Sequence, residues 1–179
     1  MNFPDVLGSL CREFRGKVRF GVIGGVGVII YGVPRGTLDV DLLIHGEDLS
    51  KADEILKHLG YSRSHQDENI VRYVGTGGLG VVDGLIAHRK PSLDMLTRVR
   101  QERAAGLSDP IPVVAPEDLI GLKVQAFSND PSRKARDTTD IEAIAGRRGS
   151  TLDWKRIVDY YAAFGLQSVG EDLRRRHSR

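Results

Sequence analysis

Cysteine and long apolar runs are both scarce in this chain of 179 residues. Its single cysteine, Cys11, excludes an internal disulfide and a cysteine-based zinc cluster, and is typical of a reducing compartment. The longest weakly polar run covers residues 21–33 and is too short to span a bilayer. Residues 1–17 carry charges within their apolar pattern, which does not resemble a signal peptide. We therefore expect a cytoplasmic protein without membrane association.

Net charge is also small. The chain has 26 Lys and Arg against 24 Asp and Glu, for a formal charge of +2. This small charge argues against a protein that coats polyanions such as nucleic acids non-specifically. Four of the arginines lie at 174–179, so the basic character belongs to the C-terminal tail. Glycine is abundant, at 21 of 179 residues, compared with an average of about 7%. The positions of these glycines therefore become informative.

Hydrophobic periodicity predicts an α/β (α+β) fold, with a mixed twisted sheet, flanking helices and a helical C-terminal portion. We expect a catalytic core at residues 1–115 and a helical portion at 116–179 packed on it. Strands are predicted at residues 18–23, 37–44, 70–74, 79–87 and 111–115. Helices are predicted at residues 4–14, 26–31, 48–59, 92–104, 116–127 and 154–164.

Two carboxylates share one face of a predicted strand. Asp39 and Asp41 are two residues apart, while Leu38, Val40 and Leu42 lie on the other face. Two carboxylates aimed at one point repel each other unless a cation lies between them, and oxygen ligands suit Mg²⁺. The simpler alternative is an Asp-x-Asp at a solvated strand end.

A glycine pair precedes these acids by 13 residues. Gly24 and Gly25 end a predicted strand and open a short helix, where backbone N–H groups and the lack of a Cβ suit a phosphate. An ordinary tight turn is the alternative for the glycines alone. Together, the glycine turn and the Asp-x-Asp indicate a site for a metal-bound polyphosphate.

A third acid completes the pattern if two metal ions are used. Asp83 lies within an otherwise apolar β run, where a charge is costly unless it is paired or bound to a metal. Its alternative is a strand-end position facing water. Asp94 competes for the role, but it lies in a predicted helix near other charges, so we prefer Asp83.

Other signals are weaker. Residues 75–80 fit the dinucleotide-binding string G-x-G-x-x-G, but a β run follows instead of a helix, which favours a hairpin turn. The five histidines lack metal-binding spacing, although His45 follows the Asp-x-Asp strand closely. Basic clusters at 133–136, 147–148 and 174–176 fit either solvated helix ends or contacts to a nucleic acid.

Taken in order, these motifs resemble the DNA polymerase beta-like nucleotidyltransferase superfamily. Their individual residues most resemble those of the small AbiEii-type nucleotidyltransferases. The resemblance covers about residues 18–145. Its motifs are Gly24-Gly25, Tyr31-Gly32, Arg35-Gly36-Thr37, Asp39-Val40-Asp41, Asp83, the run 116–119 with Lys123, Arg136-Asp137 and Asp140-Ile141.

The resemblance implies a role for each matching residue. Asp39 and Asp41 would be metal ligands, and Asp83 either a metal ligand or a base, with Mg²⁺ or Mn²⁺ as the metal. The residues that would bind the nucleotide are Gly24, Gly25, Arg35, Thr37 and Lys123. Read without the resemblance, Arg35 instead fixes its loop and Lys123 is a snorkelling surface lysine. Gly25 departs from the serine of many superfamily members, which removes one hydroxyl contact to phosphate.

The implied reaction moves an NMP group from a nucleoside triphosphate, such as ATP, to an acceptor hydroxyl with release of pyrophosphate. The acceptor class stays open among tRNA, protein and small molecules, as does the oligomeric state. The AbiEii-type likeness also implies an association with toxin–antitoxin systems. One alternative is a non-catalytic nucleotide- or RNA-binding protein with the same fold, and another is a phosphotransferase that uses the same metal site.

Overall fold

The computed structural model describes residues 3–37 and 39–178. Contacts divide the chain into two compact units. One comprises Met1–Ile30 and Arg35–Val114, and the other comprises Tyr31–Pro34 and Ala115–Arg179.

The first unit is a seven-stranded mixed sheet with flanking helices, which confirms the predicted fold class. Its helices are α1 (Phe3–Phe14), α2 (Gly24–Ile30), α3 (Leu49–His58) and α4 (Lys90–Thr97). Its strands are β1 (Phe20–Val22), β2 (Asp39–His45), β3 (Tyr61–Gln66), β4 (Ile70–Gly75), β5 (Val81–Ala87), β6 (Arg100–Glu102) and β7 (Ile111–Val113). The strand order is β3-β4-β5-β2-β1-β7-β6, in which β2 with β5 and β1 with β7 are the parallel neighbours.

One face of the sheet is buried in the hydrophobic core. Val40 of β2, Val82 of β5 and Tyr73 of β4 form one row across three strands, and each is at most 1% exposed. The Tyr73 hydroxyl donates a hydrogen bond to Asp53 of α3, so α3 packs on this face. Because strand side chains alternate, Asp39 and Asp41 lie on the opposite face.

The glycine-rich segment between β4 and β5 is a hairpin turn. The Gly75 amide donates to the Gly80 carbonyl over 2.8 Å, and the two strands then pair antiparallel. Gly77 and Gly78 have φ of +60° and +84°, a region that favours glycine. The hairpin prediction is confirmed, and a dinucleotide-binding turn is excluded because a strand follows.

The second unit contains four α-helices among its described residues, namely α5 (Pro116–Asn129), α6 (Lys134–Arg148), α7 (Trp154–Ala162) and α8 (Gln167–His177). The Arg148 guanidinium lies 4.7 Å from the centre of the Tyr31 ring, which ties residues 31–34 to this unit. Over residues 3–37 and 39–178, no helix combines the length and hydropathy needed to cross a membrane.

Several elements differ between the prediction and the structure. The helix over 92–104 is wrong in its second half, because α4 ends at Thr97 and β6 follows. Strand β3 is missed, since only Tyr61 of its six residues is buried and an edge strand needs no apolar alternation. The strand over 37–44 begins at Asp39 in the structure, and the prediction for Leu38 lies outside the described residues.

Arg19, the residue before β1, forms hydrogen bonds with Asp48 at the start of α3. Asp48 accepts hydrogen bonds from the Arg19 amide over 2.8 Å and from Arg19 Nε over 2.7 Å. The Arg19 hydrogen bond is the main cause that lowers the pKa of Asp48 from 3.8 to about 2. A lowered pKa stabilises the fold above the unfolded-state value, and this contribution is lost as the pH falls.

We therefore expect Asp48→Asn to lower the urea midpoint at pH 7, with the gap to wild type closing as the pH falls from about 4 towards 2. Urea titrations at a series of pH values measure this. The control is Asp109→Asn, which removes an exposed carboxylate 3.8 Å from Arg15 and should change the midpoint little at any pH. An Asp48→Asn gap that stays constant down to pH 2 contradicts the prediction.

Candidate active site

Parallel pairing of β2 with β5 brings two of the predicted acids together. Asp41 is the register partner of Asp83, and Asp39 is the partner of Val81. Neighbouring strands are about 4.8 Å apart, and register partners point to the same face. All three side chains therefore lie on the face opposite α3, and each residue is partly exposed.

A residue that the sequence analysis missed lies beside Asp83. Arg72 of β4 is the antiparallel register partner of Asp83. Its Nε donates to Asp83 Oδ1 over 2.7 Å and its Nη2 donates to Oδ2 over 2.8 Å, which is the bidentate geometry of a strong arginine–carboxylate pair. The sequence did hold a signal for this contact, because a hairpin centred between Gly77 and Gly78 places residue 72 opposite residue 83.

All three acids act on the pKa of Arg72. The hydrogen bond to Asp83 is the largest cause that raises the Arg72 pKa above its ordinary value, followed by the charge of Asp83. The charges of Asp39 and Asp41 raise it further, while desolvation opposes the shift. The guanidinium is therefore a permanent cation in this row of carboxylates.

The glycine turn meets the carboxylate of Asp41. Gly24 has φ of +60°, and a Cβ added there would overlap the Asp41 carboxylate. The backbone is joined at the same point, because the Ile23 amide donates to the Asp41 carbonyl over 2.9 Å. Only glycine at position 24 allows this close approach of the turn to the acid.

The second glycine is surrounded by two other predicted site residues. A Cβ at Gly25 would lie 2.8 Å from Thr37 Oγ1 and 3.3 Å from Arg35 Cζ. A serine at position 25 would therefore collide with Thr37, whose own hydroxyl already lies beside the turn and donates to the Asp39 carbonyl over 3.2 Å. The structure thus groups both glycines with Arg35, Thr37 and Asp41.

The donor set suits a divalent cation such as Mg²⁺. Mg²⁺ is commonly held by one or two carboxylates, with water and substrate phosphates completing its octahedron, and Asp39 with Asp41 supply that number. Within residues 3–37 and 39–178, no three His, Cys, Asp or Glu side chains are arranged to hold a metal ion. Asp83 lies in the same row, but both of its oxygens accept hydrogen bonds from Arg72.

Lys123, predicted to contact phosphate, is buried in the second unit. Its Nζ donates to Asp140 over 2.6 Å and to Asp137 over 3.1 Å, and only 7% of its side chain is exposed. Arg133 also donates to Asp137 over 3.1 Å, so two cations balance two carboxylates. The surface-lysine alternative is wrong, and the lysine joins α5 to α6.

A matched pair of glycines tests the contact between the turn and Asp41. Gly24 and Gly77 both have φ of +60°, but a Cβ at Gly77 would have nothing within 4 Å. Alanine costs about 1–2 kcal/mol at either position through its backbone conformation. We expect Gly24→Ala to lower the free energy of unfolding, measured in urea, by clearly more than Gly77→Ala. Equal losses in the two variants would show that Asp41 does not restrict the turn.

A matched pair of lysines tests the buried cluster. Removing one partner of a buried ion pair typically costs about 3–5 kcal/mol, so we expect Lys123→Met to lower the free energy of unfolding by that order. Lys155→Met removes a lysine that pairs with Asp159 on the surface and should have little effect. Unchanged stability in Lys123→Met, together with loss of nucleotide binding, would favour the phosphate-contacting role instead.

Comparison with known proteins identifies relatives by fold and by sequence. The structure of ANT(2″)-Ia in complex with adenylyl-2″-tobramycin has a TM-score of 0.70 at 15% identity, over 94% of this chain and 99% of that one. An antigenic nucleotidyltransferase-like protein from Paracoccidioides brasiliensis has a TM-score of 0.58 at 17% identity, over 95% and 92% of the two chains. The lincosamide antibiotic adenylyltransferase LnuA, bound to lincomycin, has a TM-score of 0.54 at 17% identity, over 78% and 94%.

These likenesses concern the fold alone. A sequence comparison with curated proteins finds no match. The sequence model of a family described as "Uncharacterised nucleotidyltransferase" matches residues 31–170, which is most of the chain and includes Asp39, Asp41 and Asp83. The chain therefore belongs to this nucleotidyltransferase family.

Proposed function

We propose that the protein transfers an NMP group from a nucleoside triphosphate to an acceptor hydroxyl, in a reaction that depends on a divalent cation and releases pyrophosphate. The observation that carries this proposal is the convergence of the glycine turn on Asp41, with Asp83 in register beside it. Family membership supports the same chemistry.

The triphosphate is held by the glycine turn and its neighbours. Gly24 is partly exposed and, like Gly25, has no Cβ, which lets a phosphate come close to the backbone of the turn. Arg35 lies beside Gly25 and supplies a positive charge, and Thr37 supplies a hydroxyl donor. These groups bind and orient the phosphates without taking part in bond making.

Asp39 and Asp41 hold Mg²⁺ or Mn²⁺, because their oxygens are the ligands that such ions prefer. When bound, the ion supplies positive charge that offsets the charge of the triphosphate and of the departing pyrophosphate. The close contact of Asp41 with Gly24 fixes this ligand next to the phosphates. The two subsites are thereby joined by one side chain.

Asp83 acts as the base that takes the proton of the acceptor hydroxyl. As the acceptor oxygen forms its bond to the α-phosphorus, the bond from that phosphorus to the bridging oxygen of pyrophosphate breaks, and the acceptor proton passes to a carboxylate oxygen of Asp83. Each Asp83 oxygen keeps a lone pair after accepting its hydrogen bond from Arg72, so it is able to take this proton.

The acceptor class and the cellular setting stay as the sequence predicts them. ANT(2″)-Ia is described with an adenylylated tobramycin and LnuA with lincomycin, so small hydroxyl compounds are one acceptor class to test beside tRNA and protein. The AbiEii-type likeness, the toxin–antitoxin association, the binding of ATP and the cytoplasmic location stay predictions, and the preferred nucleotide stays open.

The proposal is tested by label transfer. The protein is incubated with each α-labelled nucleoside triphosphate, Mg²⁺ or Mn²⁺ and a cell extract separated into small-molecule, RNA and protein fractions. We expect label on one fraction, lowered at least about a hundredfold by Asp39→Asn or Asp41→Asn, because each removes a metal ligand. The control is Asp94→Asn, which alters an aspartate paired with Lys90 on α4 and should transfer label as wild type does.

Other outcomes separate the alternatives. Transfer of γ-label instead of α-label would identify a phosphotransferase. Nucleotide binding without transfer from either position, in every fraction and with either metal, would favour a non-catalytic binding protein.

A further inference from the structure

The row formed by β4, β5 and β2 contains a positive charge that the three-acid pattern does not predict. Arg72, Asp83 and Asp41 are successive register partners, so they lie side by side on one face of the sheet. Asp39 lies on the same face, two residues along β2 from Asp41. A cation of the protein itself therefore stands at one end of the row, next to Asp83.

Arg72 occupies the side of the Asp83 carboxylate on which a metal ion could bind both oxygens at once. Its Nε and Nη2 each donate to a different oxygen of Asp83, at 2.7 and 2.8 Å. A guanidinium cannot lose its proton at ordinary pH. A divalent ion placed on Asp83 would face this fixed positive charge at close range.

Arg72 also changes the charge of the row. It neutralises one of the three carboxylates, so the row carries a formal charge of −2, which one divalent cation offsets.

We propose that Arg72 takes the place of a second metal ion at Asp83, so that the site holds a single divalent cation on Asp39 and Asp41. This inference rests on the proposed function, since it concerns the metal complement of the same site. Arg72 then acts as a positioning residue that holds the Asp83 carboxylate towards the acceptor.

Counting bound Mn²⁺ tests the assignment without relying on activity. Wild-type protein is titrated with Mn²⁺ in the presence of α,β-methylene analogues of the four ribonucleoside triphosphates, and free Mn²⁺ is followed by electron paramagnetic resonance. We expect a single Mn²⁺ per chain in wild type and a second one in Arg72→Met. The control is Arg63→Met, which removes an arginine paired with Asp53 of α3 and should bind one Mn²⁺ like wild type.

Single acid variants provide an independent measurement. Asp41→Asn should weaken Mn²⁺ binding at least about tenfold, because it removes a direct ligand. Asp83→Asn should leave the Mn²⁺ affinity close to that of wild type, because Asp83 is held by Arg72. Thermal unfolding of each variant shows whether it is folded.

The possible failures are distinguishable. Two Mn²⁺ per chain in wild type, or a loss in Asp83→Asn as large as that in Asp41→Asn, overturns the role of Arg72 and leaves the proposed function standing. A single Mn²⁺ in both wild type and Arg72→Met also overturns it. Wild-type protein that binds neither Mn²⁺ nor any of the analogues overturns the proposed function together with the inference.

Discussion

The parallel pairing of β2 with β5 is the constraint on which the candidate site depends. It places Asp41 directly opposite Asp83, although 41 residues lie between them in the sequence. A register shift of one residue would turn Asp83 to the buried face and bring Gly84 to the open one. The buried row that includes Val40, Val82 and Tyr73 prevents such a shift, because these side chains fill the core against α3. The core therefore sets the geometry of the acids on the other face.

The glycine turn depends on the same strand. Gly24 lies so close to Asp41 that a Cβ has no room, and the Ile23 amide bonds to the Asp41 carbonyl. One residue of β2 therefore fixes the turn through its backbone and the predicted metal ligand through its side chain. A sheet that holds β2 in register also holds the phosphate-binding turn in place.

Electrostatic balance at the site comes from within the sheet. The chain as a whole is nearly neutral, with a formal charge of +2, but three acids lie together on one partly exposed face. Arg72 offsets part of this charge through a bidentate contact with Asp83. In the second unit, Lys123 and Arg133 do the same for Asp137 and Asp140, in a setting that is largely buried. Both clusters follow the rule that grouped carboxylates need a cation.

The sequence by itself determined the local elements and the identity of the acids. Periodicity predicted β2, β5 and the hairpin between β4 and β5, because their patterns and turn glycines act over a few residues. It failed for β3 and β6, whose polar residues become strands only by pairing with β4 and β7. Only the tertiary structure decided that Arg72 holds Asp83, that Thr37 fills the space beside Gly25 and that Lys123 is buried between two carboxylates. These contacts depend on register and packing between distant segments, which single-residue patterns do not record.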